Sequence, residues 1–370
     1  MRGHAEIAGA GFAGLTTAIG LRQQGWSVRV HESSSELRAF GAGIFIWENG
    51  LRVLKRIGAY DDVVAGAHVA PGYEGRDSAN QRISYEIFGP ERGTRMLTMT
   101  RQHLYRAMLA ASERAGVEIV TSSEVTGARP GGELVTADGK VWPADLVVGA
   151  DGVASSVRAS LGLEPVRTKF DFGVTRLLIP RGKRDLEATS PDNVINFWSE
   201  HHRILYVPCN RDELYLAMGA RHGDAVSTAI PVRKEVWIES FPFLSHILGR
   251  IGSQGRYDTY ETCRLADWSA GRVALVGDSA HSMPPTLGQG AGCAIMNGLA
   301  LAMLVSEAAS VEEGLKRWEA QERQLTDHTQ DVSSRYASTR AGSTGSSKWD
   351  TAALRAAHHI PTGTTETAHR

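Results

Sequence analysis

Cysteine is scarce in this chain, and its placement excludes two classes of protein. Cys209, Cys263 and Cys293 are far apart, odd in number and without CxxC spacing, so neither a disulfide framework nor a zinc site is suggested; buried free thiols are expected. Charge of one sign is also lacking. The 40 Lys+Arg and 41 Asp+Glu leave a formal net charge of −1, with no dense basic run, which argues against a nucleic-acid partner. No uninterrupted apolar run approaches the ~18 residues of a membrane span. Met1-Arg2-Gly3-His4 leads straight into a strand-like run with no apolar signal region ahead of it. The expectation is a soluble, cytoplasmic chain with no membrane partner. Its 370 residues suffice for two domains, or for one large domain with an insertion.

Glycine, by contrast, is plentiful at 40 residues, and two clusters of it fall between a strand and a helix. The run 5–8 leads into Gly9-Ala10-Gly11-Phe12-Ala13-Gly14, helical spacing follows over 15–24, Gly25 is a stop, and a second strand ends on Glu32. This is G-x-G-x-x-G in the context that gives it meaning. Gly9 permits the tight turn, Gly11 lets backbone approach a pyrophosphate, Gly14 lets helix and strand pack closely, and Glu32 accepts hydrogen bonds from ribose hydroxyls. The second cluster lies in 271–296, around which the chain is organised. There the apolar run 273–276 stops at Gly277-Asp278, Pro284-Pro285 follow, and Gly288, Gly290, Ala291 and Gly292 precede an apolar, helix-compatible run over 293–305. Such an entry leaves N–H groups unpaired at the positive end of the helix dipole, where negative charge is welcome.

Other residues stand out singly. Arg38 precedes the glycine pair Gly41 and Gly43; it faces a cofactor phosphate or ribose, or it is a solvated loop arginine. Thr100 suits an N-cap, which puts Arg101 in the first helical turn, where a cation is unfavourable and an anionic partner is implied. A second buried strand, 144–150, ends on Asp151-Gly152 with Ser155 and Ser156 behind it, a pattern that an ordinary capped turn also explains. Residues 61–96 are broken by Gly and Pro and carry Tyr73, and 165–268 alternate in short runs instead of forming βα units. Phe172, Val174, Arg176 and Leu178 share a strand face, as do Arg203, Leu205 and Val207, with Tyr215 on the next strand and Tyr260 in the run 256–261. An arginine among apolar neighbours is paired with an acid, lines a wet pocket or sits on an exposed face, because burying an unpaired charge is costly. Two of them suit a carboxylate or phenolate. From Val332 onward the chain is rich in Ser, Thr, Ala and Gly; 340–347 reads as a flexible loop and 352–357 as a short helical piece.

Three motifs in order, Gly9 to Gly14 with Glu32, Gly149-Ala150-Asp151-Gly152, and Gly277-Asp278 through Pro284-Pro285, resemble the single-component FAD-dependent aromatic hydroxylases, the class that includes para-hydroxybenzoate hydroxylase. The likeness runs to about Asp327. Within that class the stretches 35–43, 203–206, 213–216, 256–262 and 289–294 are similar to the hydroxypyridine carboxylic acid oxygenases. The resemblance implies a mixed α/β (α+β) fold: a Rossmann-like FAD-binding domain over 1–70, 97–164 and 269–330, an inserted, mostly antiparallel β-sheet substrate domain over 71–96 and 165–268, and a C-terminal tail with a short helix over 331–370. It implies FAD as cofactor, NADH or NADPH as transient reductant, O₂ and a small anionic aromatic substrate, and no metal.

By the same resemblance Glu32 binds the adenosine ribose, Arg38 and Arg101 lie along the FAD, and Asp278 binds its ribityl or diphosphate part. Gly43 and Asp151 also fall among cofactor positions. The backbone over 287–292 supports the flavin edge where negative charge gathers on reduction. Tyr73, Arg176, Arg203, Tyr215 and Tyr260 match substrate positions, with Tyr215 bonding the ring oxygen and Pro285 beside the reacting edge. The second proline, Pro285, and Thr286 to Gly288 stand where alanines are expected, and the middle region is shorter before Arg203, so the substrate stays open. Ring opening after hydroxylation is a further implication. Two rival readings are a flavin monooxygenase of a phenolic or ketone biosynthetic intermediate, and a FAD-holding binding protein without turnover. Self-association is left open.

Overall fold

Two sheets divide the chain according to the period of its sequence. The computed structural model describes residues 2–38, 41–92, 94–182, 185–186, 191–340 and 353–364. The continuous apolar runs form a six-stranded sheet in the order Ser269–Ala270, Val273–Leu275, Leu146–Gly149, His4–Ala8, Ser27–His31 and Glu118–Val120. All its pairings are parallel except that of Ser269–Ala270. Parallel strands buried on both faces need no polar alternation, which is why these segments read as unbroken hydrophobic stretches. The helices Phe12–Gln23 and Gly290–Glu307 pack together beside this sheet, and glycine sets how close they come. A Cβ on Gly20 would lie 2.8 Å from the Ala302 methyl, and one on Gly298 would lie 2.7 Å from Thr17 Oγ1.

The alternating segments form a seven-stranded sheet in the order Arg256–Arg264, Val166–Pro180, Glu213–Ala220, Arg203–Pro208, Val194–Trp198, Gly72–Arg76 and Arg82–Ile87. Its pairings are antiparallel except between Val194–Trp198 and Gly72–Arg76. One face carries Tyr73, Phe172, Leu205, Tyr215 and Tyr260 into an apolar cluster with Trp47 and Leu287. The opposite face is covered by Lys234–Ser240, Pro242–Leu244 and Ser245–Leu248 through Trp237, Leu244 and Ile247. A three-stranded sheet, Gly43–Trp47, Met96–Thr100 and His68–Val69, touches the large sheet. The mixed α/β expectation holds.

Helix Gly290–Glu307 is long and apolar enough by length and composition to cross a membrane, but Asn297 interrupts its apolar run and 72% of it is buried, as in a core helix of the fold. One expectation is corrected, that of a tail. Helix Val311–Arg340 carries straight through Val332, because Thr326, Thr329, Gln330, Val332, Ser333 and Ala337 are buried against the rest of the molecule. Its hydroxyls bond back to carbonyls one turn earlier, Thr329 Oγ1 to Leu325 O at 2.8 Å and Thr339 Oγ1 to Arg335 O at 3.1 Å, so packing overrides weak helix propensity. Beyond Arg340 the expected loop lies outside the described residues, and the short helix spans Arg355–His358.

Candidate functional site

The two glycine clusters meet at the ends of the parallel strands, where an open α/β sheet forms its crevice. Gly9 has φ +97°, and a Cβ there would come within 2.5 Å of Ala150 O. A Cβ on Gly14 would run into Gly9 O. Gly11 differs from both: its φ is −76° and nothing lies within 4 Å of a Cβ built on it, so the space beside it is open. Helix Phe12–Gln23 begins behind it, with Ala13 and Gly14 buried in its first turn, without a side-chain cap or an acidic residue there. Its first N–H groups are therefore available to an anion. Glu32 is fixed at the rim, since its two oxygens accept from Ala10 N at 3.0 Å and Ser34 N at 2.9 Å.

Gly277, with φ +64°, brings the second cluster against the first, its would-be Cβ lying 2.9 Å from the Ala13 methyl. Asp278 follows with its side chain open to the crevice and no hydrogen-bond partner among the described residues. Desolvation by the surrounding walls pushes its carboxyl above the usual range, and Arg101 and Arg176 pull it back. Arg101 starts helix Arg101–Arg114, where Thr100 Oγ1 accepts from His103 N at 3.1 Å as expected of an N-cap. Its guanidinium lies 5.0 Å from the centre of the Phe12 ring, and its Nε is buried without a partner. Desolvation lowers its pKa, which the Asp278 charge opposes. Asp151 is divided in role: Oδ2 accepts from Val157 N at 3.1 Å as a helix cap, while Oδ1 is buried and unpaired. Arg38 is exposed and stands 3.4 Å from Glu36.

These residues fit an FAD. Open N–H groups and a bare surface at Gly11 suit a pyrophosphate, Glu32 suits a ribose, and the unpaired atoms of Arg101, Asp151 and Asp278 offer a donor and acceptors to a polar chain between them. The second helix start, Gly290–Glu307, again has neither a side-chain cap nor an acid in its first turn, and Gly290, Ala291 and Gly292 open it. The loop before it is held from two sides. Trp47 Nε1 donates to Leu287 O at 3.1 Å and Asn49 Nδ2 to Gln289 Oε1 at 3.2 Å, while Thr286 Oγ1 donates to Ser333 O at 2.9 Å. Gly288 takes φ +64° in this loop. His281 is buried beside it; its Nε2 accepts from Asn297 Nδ2 at 3.0 Å, and burial pushes its pKa down to about 4.

A cavity opens between this loop and the seven-stranded sheet. Phe45, Trp47, Tyr73 and Leu205 wall it, Pro285 and Gly288 border it, and Arg203 enters it. Arg203 is 5% exposed, its Nε donates to Asn196 Oδ1 at 2.7 Å, and Asn196 Nδ2 in turn donates to Tyr73 Oη at 2.8 Å. No carboxylate pairs with Arg203 among the described residues. Arg176 is otherwise placed, for it forms an ion pair with Asp258, which Arg256 Nε also meets at 2.9 Å. Leu178, expected on its apolar face, is exposed at the far end of the strand. Tyr215 is buried between Arg176 and Arg203; desolvation raises its phenol pKa and both arginines lower it. Its ring occupies the space a side chain at Gly43 would need, which gives Gly43 a packing role in this structure. Tyr260 packs on Phe172 at 5.9 Å between ring centres.

Sequence reasoning missed Asn196, Asn49, Gln289 and the walls Phe45 and Trp47. Asn196 carried a signal: it is an amide within the apolar run 194–198, every residue of which is buried. That pattern is the one that singled out Arg203.

Comparison with known proteins agrees with this geometry. A solved tetrameric form of 2-methyl-3-hydroxypyridine-5-carboxylic acid oxygenase is similar with a TM-score of 0.92 and 47% identity, covering 97% of this chain and 96% of that one. A 2-heptyl-3-hydroxy-4(1H)-quinolone synthase of Mycobacteroides abscessus is 37% identical over 335 residues, 90% of this chain and 89% of its own. The 6-hydroxynicotinate 3-monooxygenase of Pseudomonas fluorescens is 29% identical over 324 residues, 82% of this chain and 83% of its own. The profile of the family described as FAD binding domain matches residues 4–333, and the chain belongs to that family as an FAD-dependent monooxygenase of the aromatic hydroxylase class.

Proposed function

We propose that this enzyme uses NAD(P)H and O₂ to hydroxylate an anionic, hydroxylated N-heteroaromatic ring, a 3-hydroxypyridine carboxylate first among them, with ring opening as a further step. The observation that carries the reading is Arg203: a buried guanidinium held by an amide, with no acid beside it among the described residues, in a cavity walled by aromatic rings. Such a cation has paid its desolvation without a counter-charge among those residues, and a ligand carboxylate or phenolate supplies one. Bound FAD supplies the redox chemistry and the activation of dioxygen.

The chain's own residues do the rest. Arg203 fixes the anionic end, Phe45 and Trp47 hold the ring plane and keep water out, and Tyr215 accepts or gives the proton at the ring oxygen. Pro285 and Gly288 set how near the ring comes to the cofactor loop. Tyr73 completes the walls, Tyr260 supports them from the apolar cluster behind, and Arg176 acts on the ring oxygen through Tyr215. Arg101, Asp151, Asp278 and Glu32 hold the FAD between the two helix starts, and Arg38 lies along its outer side. The quinolone-synthesising relative supports a second reading, a larger bicyclic ring in the same cavity. Self-association belongs to this proposal too, supported by the tetrameric relative.

The test is the visible spectrum of the purified protein and its NADH and NADPH oxidation with a panel of hydroxypyridine carboxylates, hydroxybenzoates and hydroxyquinolones. Stimulation by the pyridines with a product one oxygen heavier is expected, and loss of aromatic absorption would mark ring opening. Turnover confined to quinolones or benzoates would overturn the substrate class. A yellow protein that no member stimulates would be a binding protein.

A further inference from the structure

The seven-stranded sheet ends at Arg82–Ile87, and no strand lies beyond it among the described residues. Ile83, Tyr85 and Ile87 share one face of that strand and are 45%, 42% and 47% exposed. Among the described residues no strand pairs with its outer backbone either. Phe88 N donates inward to Pro71 O at 2.9 Å, and the register sets Glu86 opposite Tyr73 and Ser84 opposite Gly75. Alternation along an antiparallel strand therefore turns the N–H and C=O groups of Ile83, Tyr85 and Ile87 outward. An apolar edge of this kind recruits another strand unless something blunts or covers it.

We propose that a second copy of this chain covers the edge, the two Arg82–Ile87 strands pairing antiparallel about a two-fold axis at Ser84. A two-fold contact must be self-complementary, each residue meeting its counterpart reciprocally. With the axis at Ser84, Arg82 stands opposite Glu86 of the second copy at both ends of the pairing. Ile83 stands opposite Tyr85 of the second copy twice, using the outward-facing backbone groups and making aromatic on β-branched pairs. Moving the axis one residue to Tyr85 sets Glu86 opposite Ser84 and Arg82 opposite Phe88, and the charge pairing is lost. The two charges are available for it. The Arg82 guanidinium lies over the Tyr85 ring at 5.2 Å, and neither Arg82 nor Glu86 has an ion-pair partner within the chain among the described residues. The pairing would join the two seven-stranded sheets into one continuous sheet.

This interface rests on the self-association proposed above, and the experiment separates the two. Native holoenzyme, Arg82→Glu, Glu86→Arg and the double reversal are compared by size-exclusion chromatography with light scattering across a dilution series. FAD content and visible spectrum serve as the check that each remains folded. The native chain is expected to self-associate, each single reversal to weaken association about tenfold or more, two cross-strand charge pairs being turned repulsive together, and the double reversal to restore it. Single reversals that associate like the native chain, or a double reversal that restores nothing, overturn this interface while leaving self-association standing. A native monomer overturns both.

Discussion

Arg203 and Arg176 read alike in the sequence, yet the fold gives them different neighbours. Each is an arginine on an apolar strand of the same sheet, and the choice between paired and pocket-lining was open for both. Arg176 found Asp258, while Arg203 found the neutral amide of Asn196 and the Trp198 ring, 5.4 Å from its guanidinium, and no acid among the described residues. A charged group that a ligand must neutralise is worth about 1.5–3 kcal/mol per hydrogen bond, or about one to two orders of magnitude in affinity. Arg203→Ala is therefore expected to weaken binding of the anionic substrate by that factor while leaving FAD bound. Arg176→Ala leaves Asp258 with Arg256 and should cost substrate affinity less. Substrate titrations of the flavin spectrum check this directly, and equal losses in the two variants would remove the distinction. The partner of an arginine is a tertiary fact, set here by which strands become neighbours, and no spacing within one strand encodes it.

At the scale of elements, the strand–glycine loop–helix units were legible because each glycine in them answers a local demand. Gly9 and Gly14 are required by the chain itself, Gly11 only by something the chain lacks. That separation makes a prediction. Gly11 has a backbone conformation any residue adopts and free space around it, so Gly11→Ala should leave the unfolding free energy of the apoprotein within about 0.5 kcal/mol of native, as for a surface change. Its methyl would nonetheless stand where a pyrophosphate approaches, and FAD affinity should fall at least about tenfold. Gly14→Ala should fail earlier, in the yield of folded protein, since its methyl meets Gly9 O. Undiminished FAD binding by Gly11→Ala would move the pyrophosphate elsewhere. Less legible were the loop clamps from Trp47 and Asn49, because each joins segments about 240 positions apart in sequence. Helix Val311–Arg340 was half-missed for a related reason: its Ser- and Thr-rich end gains its order from burial against distant residues.

Across the whole molecule, several histidines are kept neutral inside the fold, and this sets how stability responds to acid. Burial depresses His281 most plainly, from 6.5 to about 4, and lowers His202, His68 and His359 as well. The direction follows from proton counting. Above 6.5 neither folded nor unfolded chain protonates these rings, so they contribute no pH dependence there. As the pH falls through the window from 6.5 to about 4, the unfolded chain takes up protons that the folded His281 refuses, and stability is lost by about 1.4 kcal/mol per pH unit at most and about 3 kcal/mol in all. Asp278, Glu322 and Asp327, raised by burial, bind protons more readily when folded and partly oppose this trend at the acid end. Comparing native protein with His281→Gln isolates the one ring. Trp268, whose ring centre is 5.2 Å from that of His281, gives a fluorescence signal for urea unfolding. The native advantage over the variant should shrink by about 3 kcal/mol between pH 7 and pH 4; an advantage that stays constant with pH would mean that His281 takes a proton in the folded state as easily as in the unfolded one, and that the amide of Asn297 does not require its nitrogen as an acceptor.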